Sequence, residues 1–203
     1  MTTADNARFV RLWWEVSSER TIMRARSLED FLAHINSKWA QYNKGGEFRK
    51  WYGNDYYIVN WENNGFEIRH IADNTGKIRS TVPNEGYYFK PSITWSKISS
   101  GAIAVRYRPQ GSLFDVAGAS GFADDSSRRI CVMAFMNSTI ALHALAFMSP
   151  TLNFEGGQIA SLPLVDTGEN PRIERIAAES VDYSKNDWVA SETSYEFHSH
   201  PLI

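Results

Sequence analysis

A single cysteine, Cys131, stands in 203 residues, so no internal disulfide staples the chain and a reducing compartment suits it. It sits in the apolar run Ile130 to Phe135, where a buried, inert thiol is the expected state. A secretion leader is not expected either. Met1-Thr2-Thr3-Ala4-Asp5-Asn6 has no basic stretch followed by an apolar one, so nothing marks the chain for secretion and the cytoplasm is the expected location. Charge of one sign is scarce: a net charge of −2 argues against a protein that coats nucleic acid indiscriminately. Catalytic signatures are missing as well, with no P-loop, no Gly-Xaa-Ser-Xaa-Gly elbow and no His-Glu-Xaa-Xaa-His helix. Gly118-Ala119-Ser120-Gly121 lacks the spacing of a dinucleotide-binding turn. His198 and His200 have no Cys or third His nearby, which favours solvated imidazoles over a metal site.

What is present is a chain long enough for one substantial domain and rich enough in Trp, Tyr and Phe to bury a core. Its small net charge hides an asymmetry. Residues 1–154 carry 18 Lys and Arg against 14 Asp and Glu, whereas residues 155–203 carry 3 against 9. A mildly basic body thus precedes an acidic end, and such a body can present a local cationic face to phosphates. The expected division is a domain over 1–165 and an acidic tail or connector over 166–203.

The centre of the chain, Tyr87 to Phe114, holds Lys90, Lys97, Arg106 and Arg108 among aromatic residues with no acid. There Ile103, Val105 and Tyr107 alternate with Ala104, Arg106 and Arg108, the period of a half-buried strand with one charged face. Upstream, Phe9 to Trp14 reads as a buried strand. Ser27 and Asp30 have capping-box spacing for a helix over Leu28–Tyr42, whose Leu28, Phe31, Leu32, Ile35, Trp39 and Tyr42 share one face. The loop Lys44-Gly45-Gly46-Glu47-Phe48-Arg49-Lys50 combines two glycines with three cations. It reads either as a phosphate grip or as a helix C-cap and turn carrying solvated charge. Tyr56 to Trp61 is an expected strand, and Asn63-Asn64-Gly65 an expected hairpin turn into Phe66 to Ile71. Leu113 to Gly118 should form another strand. Asp124 to Ser127 caps a helix over Arg128–Met148, uncharged from Ile130 onward, which Pro150 stops. Asn137, Ser138, Thr139 and His143 interrupt that run and favour a buried core helix over a membrane span. In the tail, Ile173, Ile176 and Ala177 mark a helical patch, and Trp188, Tyr195 and Phe197 read as anchors. Together these elements make an α+β fold: a mainly antiparallel twisted sheet packed by an amphipathic helix and closed by a long buried helix, with a partly helical acidic tail.

Several segments carry a family resemblance. Thr2-Thr3-Ala4-Asp5-Asn6-Ala7-Arg8-Phe9, Tyr42 to Gly53, the central stretch, Ser149 to Leu164 and the acidic tail resemble the carboxy-terminal region of the PglX family, adenine-specific DNA methyltransferases of BREX phage-defence systems. A helix carrying Phe135-Met136-Asn137-Ser138, a polar loop and then Ile159-Ala160-Ser161-Leu162-Pro163-Leu164 is similar to the pattern closing recognition domains of TaqI-like methyltransferases and type I specificity subunits. In that family the first of these segments lies in the interior of the chain, which implies that this sequence is a piece of a longer protein.

The resemblance implies a region that reads an asymmetric site in double-stranded DNA, while a separate catalytic domain transfers methyl from S-adenosylmethionine to adenine N6. The donor loop and the Asn/Asp-Pro-Pro-aromatic tetrapeptide of such a catalytic domain are not in this chain; Asn170-Pro171 is followed by Arg172. The isolated chain is therefore expected to bind rather than catalyse, to hold no cofactor or metal of its own, and to keep away from membranes. Expected DNA-binding residues are Lys44, Gly45, Gly46, Arg49 and Lys50 on the glycine loop and Lys90, Lys97, Arg106 and Arg108 on the central sheet, with Arg and Lys suited to phosphates and guanine edges alike. Trp95 or Tyr88 would either stack on bases or pack in the core. The competing class is a protein-interaction module that docks the catalytic domain or another BREX component. A carbohydrate-binding module is a third, weakened by the lack of a secretion signal.

Overall fold

The computed structural model describes residues 1–99, 101–148, 153–164 and 170–200. In chain order its elements are α1 (Asn6–Phe9), β1 (Val10–Leu12), β2 (Thr21–Ile22), α2 (Leu28–Ala33), β3 (Trp39–Asn43), β4 (Tyr57–Asn60) and α3 (Glu62–Arg69). There follow β5 (Ser92–Ser96), β6 (Val105–Arg108), β7 (Ser112–Phe114), β8 (Gly118–Gly121), α4 (Ser126–Met136), α5 (Thr139–Met148), α6 (Gly156–Ala160) and α7 (Pro171–Val189). The fold is α+β with mostly antiparallel pairing, as the sequence implies, but it has two sheets in place of one. Each sheet belongs to its own compact unit, and the units interleave in sequence. The first comprises Met1–Lys44, Asp55–Pro91 and Pro109–Val116; the second comprises Gly45–Asn54, Ser92–Arg108 and Ala117–Ile203.

In the first unit β3 is the central strand. It pairs antiparallel with β4 on one edge, while β2 and β7 share the other edge in parallel, β2 opposite Trp39 and Ala40 and β7 opposite Gln41 to Asn43. β1 completes the sheet against β4. Nearly every residue of β3 and β4 is buried, as befits strands covered on both faces. Phe9, Phe31, Tyr42, Val59, Trp61, Phe89 and Leu113 fill the core. The Tyr42 hydroxyl donates to Asp115 Oδ2 at 2.7 Å, and burial together with that carboxylate pushes the phenol far above its ordinary pKa.

Local expectations give way here where the sheet competes for them. The Leu28–Tyr42 helix ends at Ala33, Asn36 turns left-handed at φ 64°, and Trp39 onward joins β3. Ile35 is accordingly 88% exposed. The helical spacing ran across two elements, and pairing on both edges of β3 outweighs whatever propensity favoured one long helix. Asn63, Asn64 and Gly65 do use their tolerance of positive φ, at 51°, 58° and 68°. They make a left-handed turn inside α3 where a hairpin was expected, so Phe66 to Arg69 is helical. The amino-terminal strand shortens to Val10–Leu12, flanked by α1 and a 3₁₀ turn at Trp13–Glu15.

In the second unit β5 is central, antiparallel to β6 and β8, so the segment expected as one strand over Leu113 to Gly118 divides between β7 and β8. Ile93, Trp95, Val105, Met133, Met136, Leu145, Phe154 and Leu162 form the core. Trp95 donates its indole N–H to the Phe154 carbonyl at 3.0 Å, and in the first unit the Tyr88 hydroxyl donates to the Pro83 carbonyl at 3.0 Å; both rings are core. Asp125 caps α4 by accepting from the Arg128 N–H. Cys131, on α4, is only partly buried. The helix expected over Arg128–Met148 is two helices bent by 67°. No single helix among the described residues is long and apolar enough to cross a membrane. Pro150, and the boundary expected between 165 and 166, lie outside the described residues. α7, capped by the Asn170 side chain with Pro171 at its first position, extends the expected helical patch to 19 residues and packs on α4.

A buried polar side chain sits at the bend. Asn137 is buried at the break, accepting from the Val105 N–H through Oδ1 at 3.0 Å and donating to the Val105 carbonyl through Nδ2 at 2.9 Å. One side chain thus does for β6 what a neighbouring strand would do. Asn137→Leu leaves the buried Val105 N–H without an acceptor. It should cost about 2–3 kcal/mol, read from urea denaturation; a loss below about 0.5 kcal/mol would show that the amide contributes little beyond its volume.

Candidate nucleic-acid interface

The loop Gly45–Asn54 is held in the second unit by contacts made largely through its backbone. Gly45 has φ +82°, and a Cβ there would lie 2.8 Å from the Ala117 carbonyl oxygen. The Gly46 N–H donates to Ser96 Oγ at 3.0 Å, and that hydroxyl donates to the Gly46 carbonyl at 2.7 Å. These glycines let the loop approach the end of β5, which is the backbone-proximity use of glycine turned inward. Further on, the Trp51 N–H donates to the Val105 carbonyl at 2.9 Å and the Trp51 carbonyl accepts from Tyr107 at 2.7 Å, laying the loop alongside β6. Trp51 takes φ 74° to do so, an arrangement costing about 1–3 kcal/mol that surrounding contacts must offset.

Arg106 and Arg108 supply part of that offset. The alternation in β6 is present, but the face that bears these cations is interior: Arg106 is 1% and Arg108 3% exposed. Arg108 donates to the carbonyls of Gly53 at 3.3 Å and Asn54 at 3.1 Å; Arg106 donates to the Arg49 carbonyl at 3.3 Å. Arg106 Nε has no hydrogen-bond partner among the described residues. Burial, with Arg108 and Arg49 close by, pulls the Arg106 guanidinium down to about 9. The solvent-facing cationic strand expected from sequence is therefore replaced by two buried arginines that carry the loop.

The other expected DNA-binding cations of this unit, Arg49, Lys50 and Lys97, sit partly exposed and engaged. Arg49 donates to the Tyr52 and Ser184 carbonyls, pairs with Asp187 at 2.6 Å and lies 5.0 Å from the centre of the Trp188 ring. Lys50 Nζ donates to the Asn137 carbonyl at 2.9 Å, and Lys97 pairs with Glu155 at 2.8 Å. α7 clasps the loop from the tail side, where Ser184 Oγ donates to the Lys50 and Tyr52 carbonyls. In the first unit, Lys44 lies 3.5 Å from Asp115, and Lys90 is exposed over the Tyr87 ring. The structure thus gathers Gly45, Gly46, Arg49, Lys50, Lys97, Arg106 and Arg108 into one unit and places Lys44 and Lys90 in the other.

Sequence reasoning missed the residues that shape the loop. Ser96 and Ser184 carry no motif, Asn137 falls within the Phe135–Ser138 pattern and Trp188 reads as an anchor, but that these residues meet the loop follows from long-range contacts alone. Asn137 also stands out in sequence as a polar residue in an otherwise uncharged apolar run.

Comparison with known proteins bears on the whole chain. It is 39% identical over 206 residues to the adenine-specific methyltransferase PglX of Lacticaseibacillus casei (strain Zhang), an alignment covering 100% of this chain and 17% of that protein. It is 36% identical over 197 residues to the adenine-specific methyltransferase BrxX of Escherichia coli O9:H4 (strain HS), covering 96% of this chain and 15% of that protein. The chain therefore spans less than a fifth of the length of these curated relatives. No family model matches it.

Removing the guanidinium of Arg108 should loosen the loop without unfolding the first unit. Arg108→Met is expected to speed amide hydrogen exchange at Trp51 and Tyr107 by about 10–100-fold, the equivalent of lost charge-assisted hydrogen bonds. Exchange in β3 and β4 is expected to stay unchanged. Equal acceleration in both places would mean global destabilisation instead.

Proposed function

We propose that this chain is the DNA target-recognition region of an adenine-specific (N6) DNA methyltransferase of a BREX-type phage-defence system. The observation that carries the reading is similarity along all or nearly all of its length, 100% and 96%, to two adenine-specific methyltransferases of which it matches only 17% and 15%. A methyltransferase of defined specificity needs both a catalytic part and a part that reads sequence. This segment lacks the donor loop and the Asn/Asp-Pro-Pro-aromatic tetrapeptide, so it takes the reading role, in the cytoplasm where the DNA is. S-adenosylmethionine and the methyl transfer belong to the catalytic domain outside this chain.

Within this reading the cations divide by accessibility. Lys44, Lys90, Lys97, Arg49 and Lys50 retain exposed surface and are the proposed contacts to duplex DNA; the salt bridges of Arg49 and Lys97 exchange an acid for a phosphate on binding. Arg106 and Arg108 act as positioning residues that hold Gly45–Asn54 in a presentable conformation. A second reading, docking to the catalytic domain or another defence component, draws on one observation: Ile140 and Phe147, seven residues apart on α5, are exposed on an uncharged helix.

Selection of bound duplexes from a randomised library by the purified chain, at low and moderate salt, tests the reading. An asymmetric motif should be enriched and survive moderate salt. Lys90→Ala should lower the slope of log affinity against log salt by about 0.9, the release of one counterion, and leave the motif unchanged. Arg108→Met should weaken the motif with the slope retained. Binding that vanishes with salt and enriches nothing would overturn autonomous recognition and favour the docking reading.

A further inference from the structure

We propose that the second unit holds a binding pocket for a small organic acid with an apolar body, built between β5, α4 and the segment around α6. A cavity of about 280 Å³ opens there, walled by Ile93 and Trp95 of β5, Val132 and Phe135 of α4, and Leu162. The space exists because neighbouring wall positions are small: Gly121, Ala123 and Ala160 line it where larger side chains would fill it. Its volume lies near the lower end of ligand pockets, enough for one ring or a short branched chain.

One wall residue breaks the apolar lining in a specific way. Arg129 is 6% exposed, and its guanidinium donates from Nη1 to the Ala123 carbonyl at 2.6 Å. Its Nε has no hydrogen-bond partner, and no carboxylate pairs with it among the described residues. The acids closest in sequence are Asp124, which is exposed, and Asp125, whose Oδ2 caps α4 on the Arg128 N–H at 2.6 Å; Glu174 accepts from Ser127. A buried guanidinium with no carboxylate beside it among the described residues is costly in an apolar setting, and a carboxylate carried by a ligand to the wall that Arg129 lines removes that cost. Arg128, also lining the pocket but exposed, adds positive potential at its edge.

The same chemistry says what does not fit. A nucleobase would bury its hydrogen-bonding edge against aliphatic and aromatic walls with only arginine donors to meet it, leaving its own donors unsatisfied. A neutral hydrocarbon would leave Arg129 as it is. An apolar body bearing one carboxylate satisfies both the walls and the cation, and it does so without reference to DNA binding.

Two-dimensional amide NMR titration of the purified chain with 3-phenylpropionate, 3-phenylpropanol and propionate tests this, in the absence of DNA. The aromatic acid should saturate, moving the Trp95 indole and Gly121 resonances, and bind about tenfold or more tightly than the alcohol, as a charge-assisted hydrogen bond requires. Propionate should not saturate over the same range. Ala160→Phe should abolish binding by filling the cavity while the rest of the spectrum stays dispersed, and Arg129→Met should bring acid and alcohol to equal affinity. Acid and alcohol binding equally to the unaltered chain would overturn the assignment. So would the acid failing to saturate, or its unchanged binding to the Ala160→Phe variant.

Discussion

A buried guanidinium must find acceptors, and in the second unit Arg106 and Arg108 find backbone carbonyls of one loop. Arg108 reaches Gly53 and Asn54, Arg106 reaches Arg49, and the loop in return adopts left-handed conformations at Trp51 and Asn54. Charge, burial and backbone strain are thus settled together. Ser96 beneath Gly46 and Ser184 of α7 against Lys50 and Tyr52 complete the clasp. The surface that Gly45–Asn54 presents therefore depends on residues spread from β5 to the acidic end of the chain.

The same unit shows how a polar residue can organise an apolar helix run. Asn137 ends α4, pairs with both backbone groups of Val105 and offers its own carbonyl to Lys50. It joins the helix bend, the edge of β6 and the loop through one residue. In the first unit the corresponding constraint is the Tyr42 hydroxyl on Asp115, which ties the central strand β3 to the residue just past β7. Each unit has its polar tie within an otherwise hydrophobic interior, where such a bond is costly to leave unmade.

These arrangements recast the cationic face on which a DNA-reading role rests. Cations placed by sequence on the glycine loop and the central sheet fall into two classes, those inside that shape the loop and those outside that retain at least partial exposure. Exposed cations held by acids, as Arg49 is by Asp187 and Lys97 by Glu155, keep their direction before a polyanion arrives. On the proposed DNA-reading role this is an advantage, since oriented donors lose less freedom on binding than free lysines do.

Much of the architecture was legible locally. The strands at Tyr57–Asn60 and Val105–Arg108, the Asp125 cap and the α+β class arise from alternation and capping chemistry, which act over a few residues. Likeness to PglX was legible too, because it lies in contiguous segments. Tertiary structure alone decided the rest. It ended the Leu28 helix at Ala33, since Trp39–Asn43 gains pairing on both edges, and helical spacing across a turn carries no information about that gain. It turned Asn63-Asn64-Gly65 into a left-handed entry to a helix, because tolerance of positive φ says where a chain can turn but not which element comes next. It drew Arg106 and Arg108 inward, because a period of two tells which residues share a face but not whether that face meets water. Only partners distant in sequence, the carbonyls of Arg49, Gly53 and Asn54, settle that question.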